Sequence, residues 1–365
     1  MGWAIFYIIN MRKIDKLFLL PLLICCFSLC SGSVDEDSYP EEKPDFISSL
    51  VTQNASTQAN KVFEFLKNNY QHKFVSGTMA KVDWNIDEAE QVYKWSGKYP
   101  AMNGFDYIHH VYSSTSGWID YEDISVVENW WKKNGLVTIM WHWNVPVSEN
   151  STQYAFYYTG RGGGFSETSF DISKAVINGT YENAIVKADL DIIAGYLLLL
   201  KKKDIPVIWR PLHEAAGGWF WWGAKDPDSY KALWKLMFDT FAEKGLNNLI
   251  WVWTTETNDA DWYPGDDYVD MIGRDIYNRS DAYDLAKEYK AIMEKYPTKI
   301  VALSECGNVA GIAHQWNAGA SWSWYMPWYD YNGSDNSHIH ATKEFWTEVL
   351  SSEKVITRDQ MPDLK

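Results

Sequence analysis

Two glutamates close apolar runs: Glu214 ends IPVIWRPLHE and Glu305 sits in KIVALSECG. A carboxyl at the end of such a run stands at the rim of the core the run builds, within reach of a solute. Two carboxyls facing each other can divide the work of cleaving a glycosidic bond. One protonates the departing oxygen, and the other attacks carbon or activates water. Either glutamate alone reads as a salt-bridged strand end, because the chain has 48 acidic residues. The pair at matching strand ends is what points to catalysis.

The elements that must position them follow from the pattern around them. Short β-rich runs cover Phe74–Ala80, Tyr99–Tyr107, Leu136–Asn144, Ile205–Glu214, Asn248–Thr255, Val269–Tyr277, Lys299–Gly307 and Ala320–Trp328. Between them lie stretches with apolar residues at helical spacing: Asp87–Lys98, Asp123–Lys133, Asp189–Lys203, Pro227–Lys244, Ser280–Tyr296 and His340–Ser351. Alternating strands and helices predict an α/β fold, and eight units predict a single (β/α)8 TIM barrel. The glutamates are 91 residues apart, which at about 30 residues per strand–helix unit puts them on the fourth and seventh strands, across the barrel mouth. No glycine-rich phosphate loop follows the first strand, and Gly162–Gly164 lie in the long segment Val145–Ala188 and follow no strand. No cofactor is expected. The eight histidines show no HExxH-type spacing, so no metal is expected either.

The chain has 365 residues, 46% hydrophobic, which fits one barrel-sized domain over residues 51–365. Its 21 Trp, 23 Tyr and 15 Phe exceed the ordinary needs of a core. Flat apolar rings with polar edges suit sugars. The formal charge of −15 disfavours nucleic acid and anionic lipid as partners and is neutral toward an uncharged polysaccharide.

Residues 1–30 read as an export signal, with Arg12, Lys13 and Lys16 ahead of the apolar run Leu17–Leu29. Cys30, followed by small and acidic residues, resembles a lipoprotein anchor site, with Cys26 as the alternative. Residues 31–50 are acidic, contain Pro40 and Pro44, and read as a flexible tether. The expectation is an exported monomer, held at a bacterial membrane through lipid alone. Only Cys306 remains in the globular part, where alternation turns it into packing.

The stretch WRPLHEAAGGWFWWG, Trp209–Gly223, resembles the acid/base strand of glycoside hydrolase family 26, the β-mannanases. ALSECG at Ala302–Gly307 resembles that family's nucleophile strand. VSGTMA at Val75–Ala80, GFDY at Gly104–Tyr107, WHWN at Trp141–Asn144, GRDIY at Gly273–Tyr277 and SWYMPW at Ser323–Trp328 agree in order, over about Thr52 to Leu364. The resemblance implies a retaining mechanism with Glu214 as acid/base and Glu305 as nucleophile. It implies that Tyr277 hydrogen-bonds the nucleophile. It also implies that His142 and His213 contact the sugar being cleaved and that Trp219 and Trp328 stack on it or wall it. Ala215 and Ala216 depart from the pattern of that family, which puts its leaving-group-side contacts in question.

On the residues alone, a histidine ending a strand is otherwise a structural group. Neighbours His213 and Glu214 can both face the site only if the strand end bends. Trp221 and Trp222 read as wall or core, and Arg210 as support for the nucleophile or as a buried ion pair. The substrate expected is β-1,4-mannan or its oligosaccharides, cut internally. The alternatives are an exo-acting enzyme releasing mannobiose, a β-xylan or mixed-linkage β-glucan hydrolase, and a non-catalytic glycan-binding lipoprotein.

Overall fold

The computed structural model describes residues 46–81, 84–113, 117–330 and 338–365. The export signal, Cys26, Cys30 and most of the expected tether therefore lie outside the described residues. The packed body reaches back to Phe46, whose ring lies 5.2 Å from Tyr70, so the last residues assigned to the tether belong to it. No helix among the described residues is long and apolar enough to cross a membrane.

Eight strands form the barrel: β1 Phe74–Met79, β2 Met102–Asp106, β3 Leu136–Trp141, β4 Val207–Pro211, β5 Leu249–Thr254, β6 Met271–Arg279, β7 Ile300–Val309 and β8 Trp324–Pro327. Each pairs in parallel with its neighbours, and β8 closes on β1 through Val75 opposite Trp324. The outer helices are α1 Thr57–Asn69, α2 Asp87–Ser96, α3 Ser125–Lys132, α4 Tyr181–Lys201, α5 Pro227–Glu243, α6 Ala282–Lys295, α7 Ile312–Ala318 and α8 Lys343–Ser351. Strands covered by helices outside and side chains inside need apolar residues on both faces, and β1, β2, β3, β4 and β5 are buried throughout. Helix starts are fixed locally. Ser56, Thr180, Asp226, Asp281 and Thr342 each accept a first-turn N–H, and Pro227 occupies the first turn of α5.

The structure adds three things to the sequence reading. Helix α1 precedes β1 and buries Ala59, Val62, Phe63 and Leu66. Helix α4 starts at Tyr181, eight residues before the expected start. The segment after β3 is folded: Val145–Pro146 pairs with Tyr154–Ala155, Tyr157–Tyr158 pairs with Glu167–Thr168, and Ile172–Ala175 is a helical turn.

Candidate active site

Glu305 faces the barrel mouth because β7 carries an extra residue. Leu303 lies opposite Arg274 on β6, yet Asp275 lies opposite Glu305, so Ser304 is the bulged residue. Ser304 Oγ donates to Asp275 Oδ1 at 2.7 Å. Gly273 makes room, since a Cβ there would collide with Ser304 Oγ. From β4, Arg210 Nη1 donates to Asp275 Oδ2 at 2.8 Å and Nη2 to Glu305 Oε2 at 2.6 Å. The Tyr277 hydroxyl donates to Glu305 Oε1. Burial pushes the Glu305 carboxyl up to about 7, Asp275 adds to the push, and Arg210 and Tyr277 pull it down. The guanidinium itself is raised despite its burial by Asp275 and Glu305.

Glu214 reaches the same space by a bend. Strand β4 ends at Pro211, after which Leu212 (φ 47°) and Glu214 (φ 53°) take left-handed backbone conformations. His213 and Glu214 thereby both turn toward the mouth, the condition that strand alternation imposed. The bend is held from below, where Trp222 Nε1 donates to the His213 carbonyl at 2.8 Å and Trp221 Nε1 to the Trp143 carbonyl at 2.7 Å. Both indoles are fully buried, so they are core. Trp219 folds back over Gly217, where a Cβ would run into its ring, and its Nε1 donates to Glu214 Oε2 at 3.0 Å. Burial, then Asp275, Glu305 and Glu256, raise the Glu214 carboxyl well above its ordinary value, with Arg210 opposing. One oxygen each of Glu214, Asp275 and Glu305 lie within 4.8 Å of one another. That proximity favours direct attack over an interposed water. The same trio is the candidate cation site among the described residues, although Arg210 already engages Asp275 and Glu305.

The other expected contacts converge here. His142 follows β3, and Asp106 at the end of β2 fixes it: Asp106 Oδ1 accepts the His142 N–H at 3.0 Å, and Oδ2 lies 2.5 Å from Nδ1. Nδ1 is thereby committed to Asp106, leaving Nε2 for a ligand. The His142 ring lies 4.6 Å from that of His213 and 5.8 Å from that of Trp328. Burial, His142 and Arg210 lower the His213 pKa well below its ordinary value, so this imidazole is neutral. Its Nδ1 has no partner among the described residues. Trp328 and Trp219 are half-buried, and the Trp328 N–H donates to the Cys306 carbonyl at 2.7 Å.

Three site residues, Asp275, Asp106 and Glu256, were not singled out from sequence. Asp275 and Asp106 had a signal, a lone acid inside an apolar strand run. Glu256 follows β5 in a polar TTETND stretch and meets Arg274 Nη1 at 3.2 Å. Tyr157 belongs to the aromatic-rich Val145–Ala188 segment, whose tyrosines read from sequence as able to close off a distal subsite. It reaches the site because that segment bonds across to the Glu214 loop, with Tyr158 N donating to Trp219 O at 2.8 Å and Trp221 N to Phe156 O at 3.0 Å. Burial, then the charges of Glu214 and Glu305, raise the Tyr157 hydroxyl pKa.

A closed (β/α)8 barrel with opposed carboxyls at the C-terminal mouth defines the class of barrel glycosidases. Residues 51–360 match the model of Glycosyl hydrolase family 26, and the chain belongs to that family. It is 33% identical over 323 residues to mannan endo-1,4-beta-mannosidase B of Piromyces sp, covering 86% of this chain and 53% of the relative. Its structure is similar to that of the family-26 domain of an endo-beta-mannanase/endo-beta-glucanase from Prevotella bryantii, at TM-score 0.79 and 39% identity, covering 86% of this chain and 98% of the other. It is likewise similar to a beta-mannanase from a symbiotic protist of the termite Reticulitermes speratus complexed with gluco-manno-oligosaccharide, at TM-score 0.77 and 37% identity, covering 88% of this chain and 100% of the other. The chain spans about half the length of the two curated Piromyces relatives, 53% and 50%.

Proposed function

We propose that this chain is a retaining endo-β-1,4-mannanase, with Glu305 as nucleophile and Glu214 as acid/base. The observation that carries the roles is the unequal environment of the two carboxyls. Glu305 receives a guanidinium and a phenol O–H, whereas Glu214 receives one neutral indole N–H. Donors and positive charge stabilise a carboxylate, and their scarcity leaves a proton in place. The substrate reading is supported by the mannan-cleaving names of relatives from Piromyces sp and Thermothelomyces thermophilus.

In the first step a Glu305 oxygen attacks the anomeric carbon while Glu214 gives its proton to the glycosidic oxygen. The bond to the leaving sugar breaks, and a glycosyl ester forms on Glu305. In the second step Glu214, now ionised, takes a proton from water, which displaces Glu305 and regenerates both groups. His142, His213, Trp219 and Trp328 hold the sugar so that both displacements proceed in line. Proton NMR of the first products should show the β anomer; the α anomer first overturns retention. A digest of mannohexaose should give mixed short products, whereas mannobiose alone assigns exo action, and cleavage of xylan or mixed-linkage glucan in its place reassigns the substrate.

Export, lipidation and the monomeric state are further parts of the proposal. They rest on the sequence of Arg12–Asp37 and on the single-domain length. Cys30→Ser should move the enzyme from the membrane to the soluble fraction; retention of Cys30→Ser with release of Cys26→Ser moves the site to Cys26. Sedimentation of the released enzyme should give the mass of one chain.

A further inference from the structure

A column of four aromatic rings runs from the core to the surface beside the Glu214 loop. Trp222 stacks on Phe220 at 4.5 Å and 28°, Phe220 lies 5.4 Å from Tyr157 at 34°, and Tyr157 stacks on Phe165 at 5.5 Å and 21°. Exposure rises along the column. Trp222 and Phe220 are buried, Tyr157 is half-buried, and Phe165 is 70% exposed. Phe165 therefore has one face against Tyr157 and its other face toward solvent.

A lone exposed phenylalanine is ordinary, but this one ends a turn built to hold it. Gly160, Gly163 and Gly164 have φ of 79°, 59° and 106°, values that other residues adopt only with strain. The Glu167 carboxylate accepts the N–H of Gly160 at 2.8 Å and of Gly162 at 2.7 Å, and the Phe165 N–H donates to the Gly162 carbonyl at 3.0 Å. The inner half of the column borders the site, because Phe220 lies 5.1 Å and Trp222 5.8 Å from the His213 ring.

We propose that the outer face of Phe165 is a pyranose platform remote from the bond being cleaved. A sugar further along the same glycan lays its C–H face on the ring and continues the column outward. This rests on the mannanase reading above, which places an extended neutral polymer at the adjoining mouth. A flat uncharged ring suits the C–H face of a neutral sugar. A protein partner needs roughly 800 Å² of surface on each side, far more than one ring supplies.

The test compares kcat/KM on mannohexaose with kcat/KM on a short aryl mannobioside. In Phe165→Ala the ratio should fall about tenfold, the scale of one aromatic face contact, mostly through KM. Phe165→Trp should restore it. Tyr283→Ala, which removes a comparably exposed ring from α6, should leave the ratio as in the wild type. An unchanged ratio in Phe165→Ala overturns the platform, and an equal loss on both substrates overturns it by marking Phe165 as a prop for Tyr157. A wild-type enzyme that cleaves neither substrate sinks the mannanase reading itself, a result distinct from either.

Discussion

Arg210 Nη2 lies 2.6 Å from Glu305 Oε2, whereas the partner of Glu214 Oε2 is the uncharged Trp219 indole, 3.0 Å away. One guanidinium thus serves Glu305 and Asp275 together, deep in the barrel, where Arg210 is 2% exposed. Removing it leaves two buried carboxylates without that cation. Arg210→Ala should cost about 3–5 kcal/mol of stability at neutral pH. Arg210→Lys should fold better but remain poorly active, since an ammonium does not match the two-pronged geometry. Denaturant titrations should show a smaller loss for Arg210→Ala near pH 4, well below the value of about 7 to which Glu305 is pushed, where that carboxyl is neutral. An equal loss at both pH values would argue that packing, not charge, is what Arg210 supplies.

The crowding of three carboxyls has a stability signature with a definite sign. The folded-state pKa of Glu214 is raised above the ordinary 4.5, so above that value the folded protein holds a proton that the unfolded chain releases. Stability therefore falls as pH rises through this window. Glu214→Gln should melt higher than wild type at pH 8, by roughly 2–4 °C, with no gain near pH 4. Calorimetry at the two pH values checks it, and a gain that is the same at both would refute the charge argument.

Much of this site was legible because barrel strands are apolar runs with a polar residue at one end. Glu214 and Glu305 announce themselves in that way, whereas His142 and Tyr277 were reached only through the family resemblance. The bends that make the geometry work do not. Leu212 and Glu214 adopt positive φ with no glycine at either position to signal it, and the bulge at Ser304 shows only in the pairing of β6 with β7. The segment after β3 read as a loop because its strand pairs are two residues long. Its order comes from contacts with residues some sixty positions later, such as Tyr157 opposite Phe220. Helix α1 carries an apolar stripe, yet the Gln, Asn, Lys and Glu residues of TQANKVFEFLKNN make it quieter than the strands beside it.

Glu256 should tune the basic limb of the pH–rate profile. Burial pushes its carboxyl up to about 7 against the pull of Arg274, and its negative charge is one of those that follow burial in raising Glu214. Glu256→Gln removes that charge, so Glu214 ionises at lower pH and the acid form is lost earlier. The basic limb of kcat/KM should move to lower pH, while the acid limb, set by ionisation of Glu305, stays in place. A shift of the basic limb to higher pH would contradict the assignment.

Trp219 and Trp328 should carry sugar through ring contact. Each alanine variant should lose about 1–3 kcal/mol of transition-state binding, read from kcat/KM. Gly217→Ala offers an independent route to the same end, because its Cβ would displace the Trp219 ring. It should reproduce the Trp219→Ala defect while keeping the indole in the chain. Melting temperatures far below wild type in these variants would make the two indoles core residues instead.

The two carboxyl roles separate by when each acts. An acid is needed only where the departing oxygen is a poor leaving group, as in mannan, whereas the nucleophile is needed for every substrate. Glu214→Ala should therefore nearly abolish mannan hydrolysis yet still be glycosylated by an aryl mannobioside with a good leaving group. Its second step should then be slow, since the base that activates water is gone, and the glycosyl ester on Glu305 should accumulate to a mass detectable on the intact protein. Azide, small enough to enter the space left by the carboxyl, should restore turnover by attacking that ester and giving the β-glycosyl azide. Glu305→Ala should be inactive toward both substrates, because the carboxylate that must form the ester is gone. If Glu305→Ala keeps retaining cleavage of the aryl substrate while Glu214→Ala loses it and azide fails to rescue, the roles are exchanged. The guanidinium of Arg210 then serves the acid, not the nucleophile.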